Sequence, residues 1–212
     1  MRFLSCGDYE EVVGVATMIK RSVLILAAAA VAAIVAVPSS KAALACYGSL
    51  QPFAQFGDQN HYFAFSNNGF ENGTAGWNLT NAFVSGGNEP WAVNGGGNAS
   101  LTIGPGGSAS GPKVCAALNA PGWRMFAQSN GANGPLQAQV IFYGLLGNIT
   151  GILNFTNFNP SGYTTWQPSG NVPSALALPI LTYAAQIRLT STATSGTWQV
   201  DDVFVDPFGM RG

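Results

Sequence analysis

The chain has 212 residues and a formal net charge of −1, and only 8% of its residues are charged whereas 47% are hydrophobic. Residues 46–212 carry six acidic and four basic side chains and contain no basic cluster. Because nucleic acids and anionic membranes are bound mainly through clustered Lys and Arg, we expect neither as a partner. Gly, Asn, Ser and Thr supply the solubility instead, which suits an extracellular protein.

The N-terminal segment predicts secretion. Lys20-Arg21 precedes an apolar run over residues 23–37, and a small-residue tract then ends at Ala43-Leu44-Ala45. This order is typical of a helical signal peptide with an A-x-A cleavage site, so we predict a signal peptide over residues 1–45. The run of 15 residues is shorter than the about 20 that span a bilayer, so no membrane attachment is expected after cleavage. The acidic residues before Met18 do not suit a signal peptide, which makes Met18 an alternative start.

Residues 46–212 are long enough for a single domain with its own core. In an oxidising compartment the simplest state of its two cysteines, Cys46 and Cys115, is a disulfide. Closing this loop of about 70 residues would stabilise the fold by about 4 kcal/mol in the chain-entropy model. The alternative is a lipid anchor on Cys46, since Leu44-Ala45-Cys46 resembles a lipoprotein cleavage site. The polar stretch of residues 38–41 before the cysteine argues against that anchor.

Short strands separated by turn residues dominate this domain. Residues 183–190 alternate between an apolar face and a face with Gln186, Arg188 and Thr190, as a half-buried strand does. Gly- and Pro-containing segments such as Gly104-Pro105-Gly106-Gly107 are predicted connections. The predicted strands are, in chain order, residues 77–84, 91–93, 99–103, 123–127, 136–143, 151–155 and 183–190, followed by a terminal strand from Trp198. This pattern predicts an all-β, antiparallel β-sandwich.

The terminal strand poses a question of register. Strict alternation from Trp198 would point Asp202 to the same side as the tryptophan. Either the strand is covered on both faces, or a β-bulge at Asp201-Asp202 resets the alternation so that Trp198, Val200, Val203 and Val205 all face the core. In both cases at least one carboxylate lies near the interior and needs a cation or backbone amides as partners.

Two acidic motifs carry a resemblance. Gly69-Phe70-Glu71 with Gly76-Trp77, and Val200-Asp201-Asp202-Val203 near the end, resemble galactose-binding-like jelly rolls, especially carbohydrate-binding modules of bacterial xylanases and cellulases. The resemblance implies a jelly-roll sandwich with a structural Ca²⁺ held by Glu71 and by Asp201 or Asp202, and oxygen-only ligation fits that ion. The alternative is that the carboxylates only accept backbone N–H bonds. The mature pattern resembles stand-alone secreted bacterial proteins of unassigned function more closely, and that resemblance implies no activity.

Aromatic residues in loops and on one strand are the candidates for sugar binding, since sugar C–H faces stack on aromatic rings. We predict Trp91, Tyr143 and Trp166 as ligand-binding residues. Trp91 and Trp166 lie next to prolines or within Gly-rich loops, and Tyr143 shares a strand face with Gln137, Gln139 and Ile141.

Catalysis is not expected. His61 is the only histidine after the signal segment, and the sequence has no nucleophile-elbow signature that would place a serine nucleophile beside a base. The one glutamate pair, Glu71 and Glu89, would have to serve as glycosidase carboxylates, but Glu89 before Pro90 is better explained as a hydrogen-bond acceptor for its own turn. We therefore expect a secreted, non-catalytic protein that binds a polysaccharide or cell-wall glycan. A structural or adhesive envelope protein is the alternative, a glycan hydrolase is less favoured, and the sequence does not indicate the oligomeric state.

Overall fold

The computed structural model describes residues 50–115, 122–173 and 182–206, which belong to one compact unit of residues 46–212. The predicted signal peptide, residues 1–45, and Cys46 lie outside the described residues. Within the three described ranges, no helix is both long enough and apolar enough to cross a membrane.

The described residues form an all-β fold, as the sequence predicts. Every pairing between its named strands is antiparallel. The strands are β1 (Phe63–Ala64), β2 (Asn78–Gly86), β3 (Ala99–Ser110), β4 (Val114–Cys115), β5 (Gly122–Asn130), β6 (Leu136–Gly144), β7 (Ile149–Phe158), β8 (Gln167–Pro168), β9 (Val172–Pro173), β10 (Thr182–Ser191) and β11 (Thr197–Asp206). One predicted strand is wrong: residues 91–93 form a turn, because Glu89 hydrogen-bonds their amides.

The sheet runs in the order β7-β6-β10-β3-β11-β5-β8, with β2 against β3. Strand β3 belongs to both halves of this curled sheet. Its first part, around Leu101–Ile103, pairs with β11, and its last part, Ser108–Ser110, pairs with β10. Strand β2 pairs with β3 on both sides of this change of partner. The two halves face each other as a jelly-roll-like β-sandwich, and side chains from both meet in one core.

The change of partner occurs at Gly104-Pro105-Gly106-Gly107, which the sequence pattern predicted as a connection. That prediction is wrong, because the segment lies inside β3 and forms a corner between the two halves. Asn81 bulges out of β2 at φ 45 and donates its side-chain amide to the Pro105 carbonyl at 2.8 Å. A Cβ atom on Gly107 would lie 2.3 Å from the Asn81 carbonyl oxygen, so only glycine fits there. Gly107 therefore lies inside a strand because the backbone of β2 approaches it closely at Asn81.

Strand β11 contains the bulge that the sequence offered as one of two solutions. The register with β5 shifts between Asp201 and Phe204, and Asp202 has φ 47. As a result Trp198, Val200, Val203 and Val205 all join the main core. Phe204 points to the opposite face and is also fully buried, so the strand is covered on both sides.

A second aromatic cluster covers the outward face of β5 and β11. It consists of Phe53, Tyr62, Phe126 and Phe204. The segment that carries Phe53 and Tyr62 is held down by Asp58, whose carboxylate accepts the Tyr62 hydroxyl at 2.5 Å and pairs with Arg124 at 2.5 Å. The Arg124 guanidinium also lies over the Phe53 ring, 4.2 Å from its centroid. This face is therefore closed by the protein's own chain.

The corner in β3 gives a direct test of the fold. We predict that Gly107→Ala destabilises the protein by about 1–3 kcal/mol, because the added methyl group forces two backbones apart. Gly162→Ala is the control, since a Cβ atom there meets nothing within 4 Å. Urea unfolding of both variants measures the difference, and an unchanged midpoint for Gly107→Ala would contradict the corner.

Candidate functional site

The bulge in β11 gathers carboxylates into one buried corner. Asp201 accepts the backbone N–H of Asp202 at 2.8 Å and that of Glu89 at 3.1 Å. Glu89 is 2% exposed and accepts the N–H groups of Trp91 at 2.5 Å and Val93 at 2.9 Å, as its place in a turn indicated. The last strand and the loop after β2 are thus joined through carboxylate–amide hydrogen bonds, which are stronger than neutral ones.

Asp202 lies beside this pair. Its Oδ1 accepts the side-chain amide of Asn94 at 3.2 Å, and the same amide also donates to Asn68 Oδ1 at 2.9 Å. The Asn68 amide nitrogen is buried and has no hydrogen-bond partner within the described residues. Gly69 passes so close that a Cβ atom there would lie 2.6 Å from Asp202 Oδ1. Asn68-Gly69, at the start of the first acidic motif, therefore packs directly against Asp202 of the second motif.

Glu71 is held at a different point of the same region. Its carboxylate accepts the N–H groups of Asn98, at 3.1 and 3.2 Å, and of Ala99, at 3.0 Å. It fixes the start of β3 and needs the close approach of Gly97, where a Cβ atom would lie 2.0 Å from Glu71 Oε1. The structure therefore brings Asp201 and Asp202 together with Glu89. Glu71 bonds the start of β3, and its charge is near enough to Asp202 to help raise the pKa of that residue.

The predicted Ca²⁺ ligands all have hydrogen-bond partners in this geometry. Glu71 and Asp201 accept backbone N–H groups, and Asp202 accepts the Asn94 amide. In the part of the chain that the structure describes, no group of three or more His, Cys, Asp or Glu side chains is arranged to hold a metal ion. The hydrogen bonds of Glu71 and Asp201 match the alternative in which these carboxylates accept backbone N–H groups. Calcium binding stays a prediction, which the melting experiment below also tests.

The buried corner perturbs the ionisation of both aspartates. Burial, and then the neighbouring Asp202 charge, raise the pKa of Asp201 from 3.8 to about 8. Burial also raises the pKa of Asp202 to about 7; the Asn94 hydrogen bond opposes this rise, and the Glu89 carboxylate adds to it. Each carboxyl group therefore holds its proton more tightly in the folded state than in the unfolded chain.

This shift has a defined effect on stability. Between pH values near 3.8 and about 8 the folded protein binds more protons than the unfolded chain, so its stability falls as pH rises through this window. We predict a falling melting temperature from about pH 5 to about pH 8 in EDTA, and a shallower fall in Asp202→Asn. A flat or rising wild-type curve would contradict the assignment.

A rise in melting temperature on adding Ca²⁺, lost in Asp201→Ala or Asp202→Ala, would instead support the calcium prediction.

The other half of the sheet presents an open polar face. It is formed by the outward side chains of β2, β3, β10, β6 and β7, which stand opposite one another across the strands. We call it the polar face. Two cross-strand rows define it: Thr80, Ser108, Thr190, Gln137 and Asn157, and beside it Asn78, Ser110, Arg188 and Gln139. The longer row spans about 19 Å, since neighbouring strands lie about 4.8 Å apart.

Tyr143 lies at one end of the polar face, where it is half-buried. Its hydroxyl donates to Gln186 Oε1 at 2.7 Å, and the Gln186 amide donates to the Gly111 carbonyl at 2.6 Å. The Lys113 ammonium lies over the Tyr143 ring, 4.0 Å from its centroid. One ring face and the hydroxyl therefore already have partners, and the tyrosine positions a cation at this surface.

The other two predicted ligand-binding residues lie elsewhere. Trp91 is partly buried and packs against Phe56 and Phe126, with ring centroids 4.9 and 5.3 Å apart. Trp166 is partly buried against the same second aromatic cluster. Neither is on the polar face, so the structure does not bring the three predicted residues together. Their roles in binding stay predictions.

Sequence reasoning did not select Lys113, Gln186 and Arg188 as site residues. A signal for two of them was present, because alternation places Gln186 and Arg188 on one side of β10. The proximity of Lys113 to Tyr143 arises only from the pairing of β4 and β6 with β10, which the sequence does not reveal. Cys115 lies in β4, but Cys46 is outside the described residues, so the disulfide and the lipid anchor stay predictions.

The fold and the polar face define an antiparallel jelly-roll protein with an open sheet surface. No protein-family model matches the chain, and no curated protein matches it. Among solved structures it is similar to TmCBM61 in complex with β-1,4-galactotriose, at 14% identity and a TM-score of 0.41, covering 68% of this chain and 97% of that one. It is also similar to the CBM22-1 xylan-binding domain of Paenibacillus barcinonensis Xyn10C, at 14% identity and a TM-score of 0.48, covering 66% and 90%.

A third similar structure is the enzymatically active domain of bacteriophage CBA120 tailspike protein 4, at 14% identity and a TM-score of 0.48. The match covers 67% of this chain but only 21% of the tailspike chain. Carbohydrate-binding modules are thus among the solved structures to which the chain is similar. At these scores the likeness is one of general topology, and it identifies neither a ligand nor a family.

Proposed function

We propose that this protein is a secreted, non-catalytic glycan-binding protein whose binding surface is the polar face. The observation that carries the proposal is the pair of cross-strand rows of hydroxyl, amide and guanidinium groups, which are exposed or partly exposed on the sheet surface. A sugar chain presents many hydroxyl groups in a repeating arrangement. A flat surface of repeated donors and acceptors on rigid strands suits such a ligand, because little side-chain order is lost on binding.

The absence of catalysis is part of the proposal and rests on the carboxylates. A glycosidase needs two carboxyl groups that face a shared cleft. Both oxygens of Glu89 accept backbone N–H bonds of its own turn, and Glu71 is bonded to the start of β3. Neither glutamate lies on β2, β3, β6, β7 or β10. The proposed binding surface therefore has no acid–nucleophile pair.

The test is retention on a panel of insoluble plant, algal and bacterial polysaccharides. We predict that the wild type is retained by at least one polymer, and that Gln137→Ala or Gln139→Ala weakens retention about five-fold each, as expected for a net hydrogen bond of about 1 kcal/mol. Phe83→Ala is the control, since this exposed residue lies on β2 outside the two rows. Retention that is lost in Trp91→Ala and unchanged in the glutamine variants would move the site to the second aromatic cluster.

One observation favours the structural or adhesive alternative. Leu145, Leu146, Ile149 and Ile152, at the β6–β7 hairpin, are 43–87% exposed. An exposed apolar patch at a sheet edge is a common contact surface between protein chains. Failure to bind any glycan, together with concentration-dependent assembly that Leu146→Ser abolishes in light scattering, would support this alternative instead.

A further inference from the structure

We infer that the glycan recognised by the polar face is acidic and carries carboxylate groups on its sugars. This inference rests on the proposed function and specifies its ligand. It follows from the distribution of charge over the molecule, from the position of Arg188 and Lys113, and from the balance of hydrogen-bond donors and acceptors at the surface.

Charge is segregated between the two halves of the sheet. The five strands of the polar face contain no Asp or Glu. Their one charged residue is Arg188, and Lys113 approaches the same surface beside Tyr143. The described carboxylates lie in β11, in the loops flanking β2 and at Asp58. A protein with an excess of acidic residues therefore presents a locally positive surface at the place where a ligand would bind, and such a surface attracts anions.

Arg188 lies at the centre of this surface. It is exposed, on the middle strand of the five, with Ser110 on one side and Gln139 on the other. Burial raises the pKa of Tyr143, and the positive charge of Arg188 is near enough to oppose that rise. Arg188 and Lys113 are therefore the two cations at this surface, with Lys113 over the Tyr143 ring. A planar guanidinium pairs with a planar carboxylate through two parallel hydrogen bonds, which favours a carboxylate as the anionic group.

The hydrogen-bond balance points the same way. Hydroxyl groups of neutral sugars donate best to carboxylates, and none is present on these strands. The carbonyl oxygen of Gln186 already accepts the Tyr143 hydroxyl, so that amide acceptor is occupied. Arg188 and Lys113 are donors only. A surface whose charged groups are all donors fits a ligand with anionic acceptors, such as a uronate-containing chain.

The experiment compares matched polymers that differ only in charge. The probes are polygalacturonate, alginate and glucuronoxylan, each beside its carboxyl-reduced form, with a sulfated galactan as a further anion. Binding is measured by affinity electrophoresis at low and high salt. We expect retention on at least one uronate polymer, at least ten-fold weaker binding to its carboxyl-reduced form, and weaker binding at high salt.

Variants locate the effect. Arg188→Gln keeps hydrogen-bonding capacity without the charge and should weaken binding at least ten-fold. Lys113→Gln should also weaken binding, by a smaller factor. Arg188→Lys should lose less than Arg188→Gln. Both residues are exposed, and melting curves show whether each of the three variants is folded. Phe83→Ala again serves as the unaffected control.

The outcomes separate the inference from the proposed function. Equal binding to the acidic and carboxyl-reduced forms, weakened by Gln139→Ala, would overturn the acidic ligand and leave glycan binding standing. Binding to the sulfated galactan with none to any uronate polymer would overturn the carboxylate assignment. Uronate binding that Arg188→Gln leaves unchanged would also overturn the inference. No binding to any polymer would overturn both.

Discussion

The structure depends on the bulge at Asp201-Asp202 in the last strand. A regular strand would place Val203 and Val205 on the side opposite Trp198, where they could not join the core. One extra residue with φ 47 at Asp202 reverses the alternation. The side chains of Val203 and Val205 then turn inward, and Phe204 turns outward into the second aromatic cluster. The carboxylates on either side of the bulge bond the loop after β2, so the first and last parts of the domain are joined at this point.

The same bulge governs where the charge lies. By burying Asp201 and Asp202 against Glu89, it gathers acidic groups in one corner of a protein that has few charges. Arg124 is paired with Asp58 on the second aromatic cluster. The remaining described cations, Arg188 and Lys113, are on or beside the polar face. Architecture and proposed function therefore use separate sets of charged residues, and the acidic motifs belong to the architecture.

Much of the fold could be predicted from local patterns, and the exceptions have physical causes. Residues 136–140 of β6 and 187–190 of β10 alternate because one face of each is buried. The bulge could be anticipated because two aspartates interrupt an apolar run. The Gly104-Pro105-Gly106-Gly107 corner could not, since glycine and proline usually mark turns and only the partner strand shows that β3 continues. Trp91–Val93 has strand-like residues, but long-range contacts of Glu89 and Asp201 hold it as a turn.

The candidate site was less accessible to sequence reasoning than the fold. Tyr143 was selected as a stacking surface, yet Lys113 and Gln186 engage its ring and hydroxyl. Those partners come from strand pairings between residues 30 to 70 positions apart in the chain, roughly the separations of Lys113, Tyr143 and Gln186. Cross-strand rows such as Arg188 beside Gln139 exist only once register is known. Alternation along a strand predicts which face of the sheet a side chain occupies. The register between paired strands decides which side chains lie beside it.

The most direct test of the account is to map the binding surface residue by residue. Amide chemical shifts of the ¹⁵N-labelled protein would be followed by NMR during titration with an oligogalacturonate. The account predicts changes concentrated on β10 and β6, around Gln186, Arg188 and Gln139, with the corner at Asp201-Asp202 unaffected. Changes centred on Trp91 and Trp166, with the polar face unchanged, would contradict it.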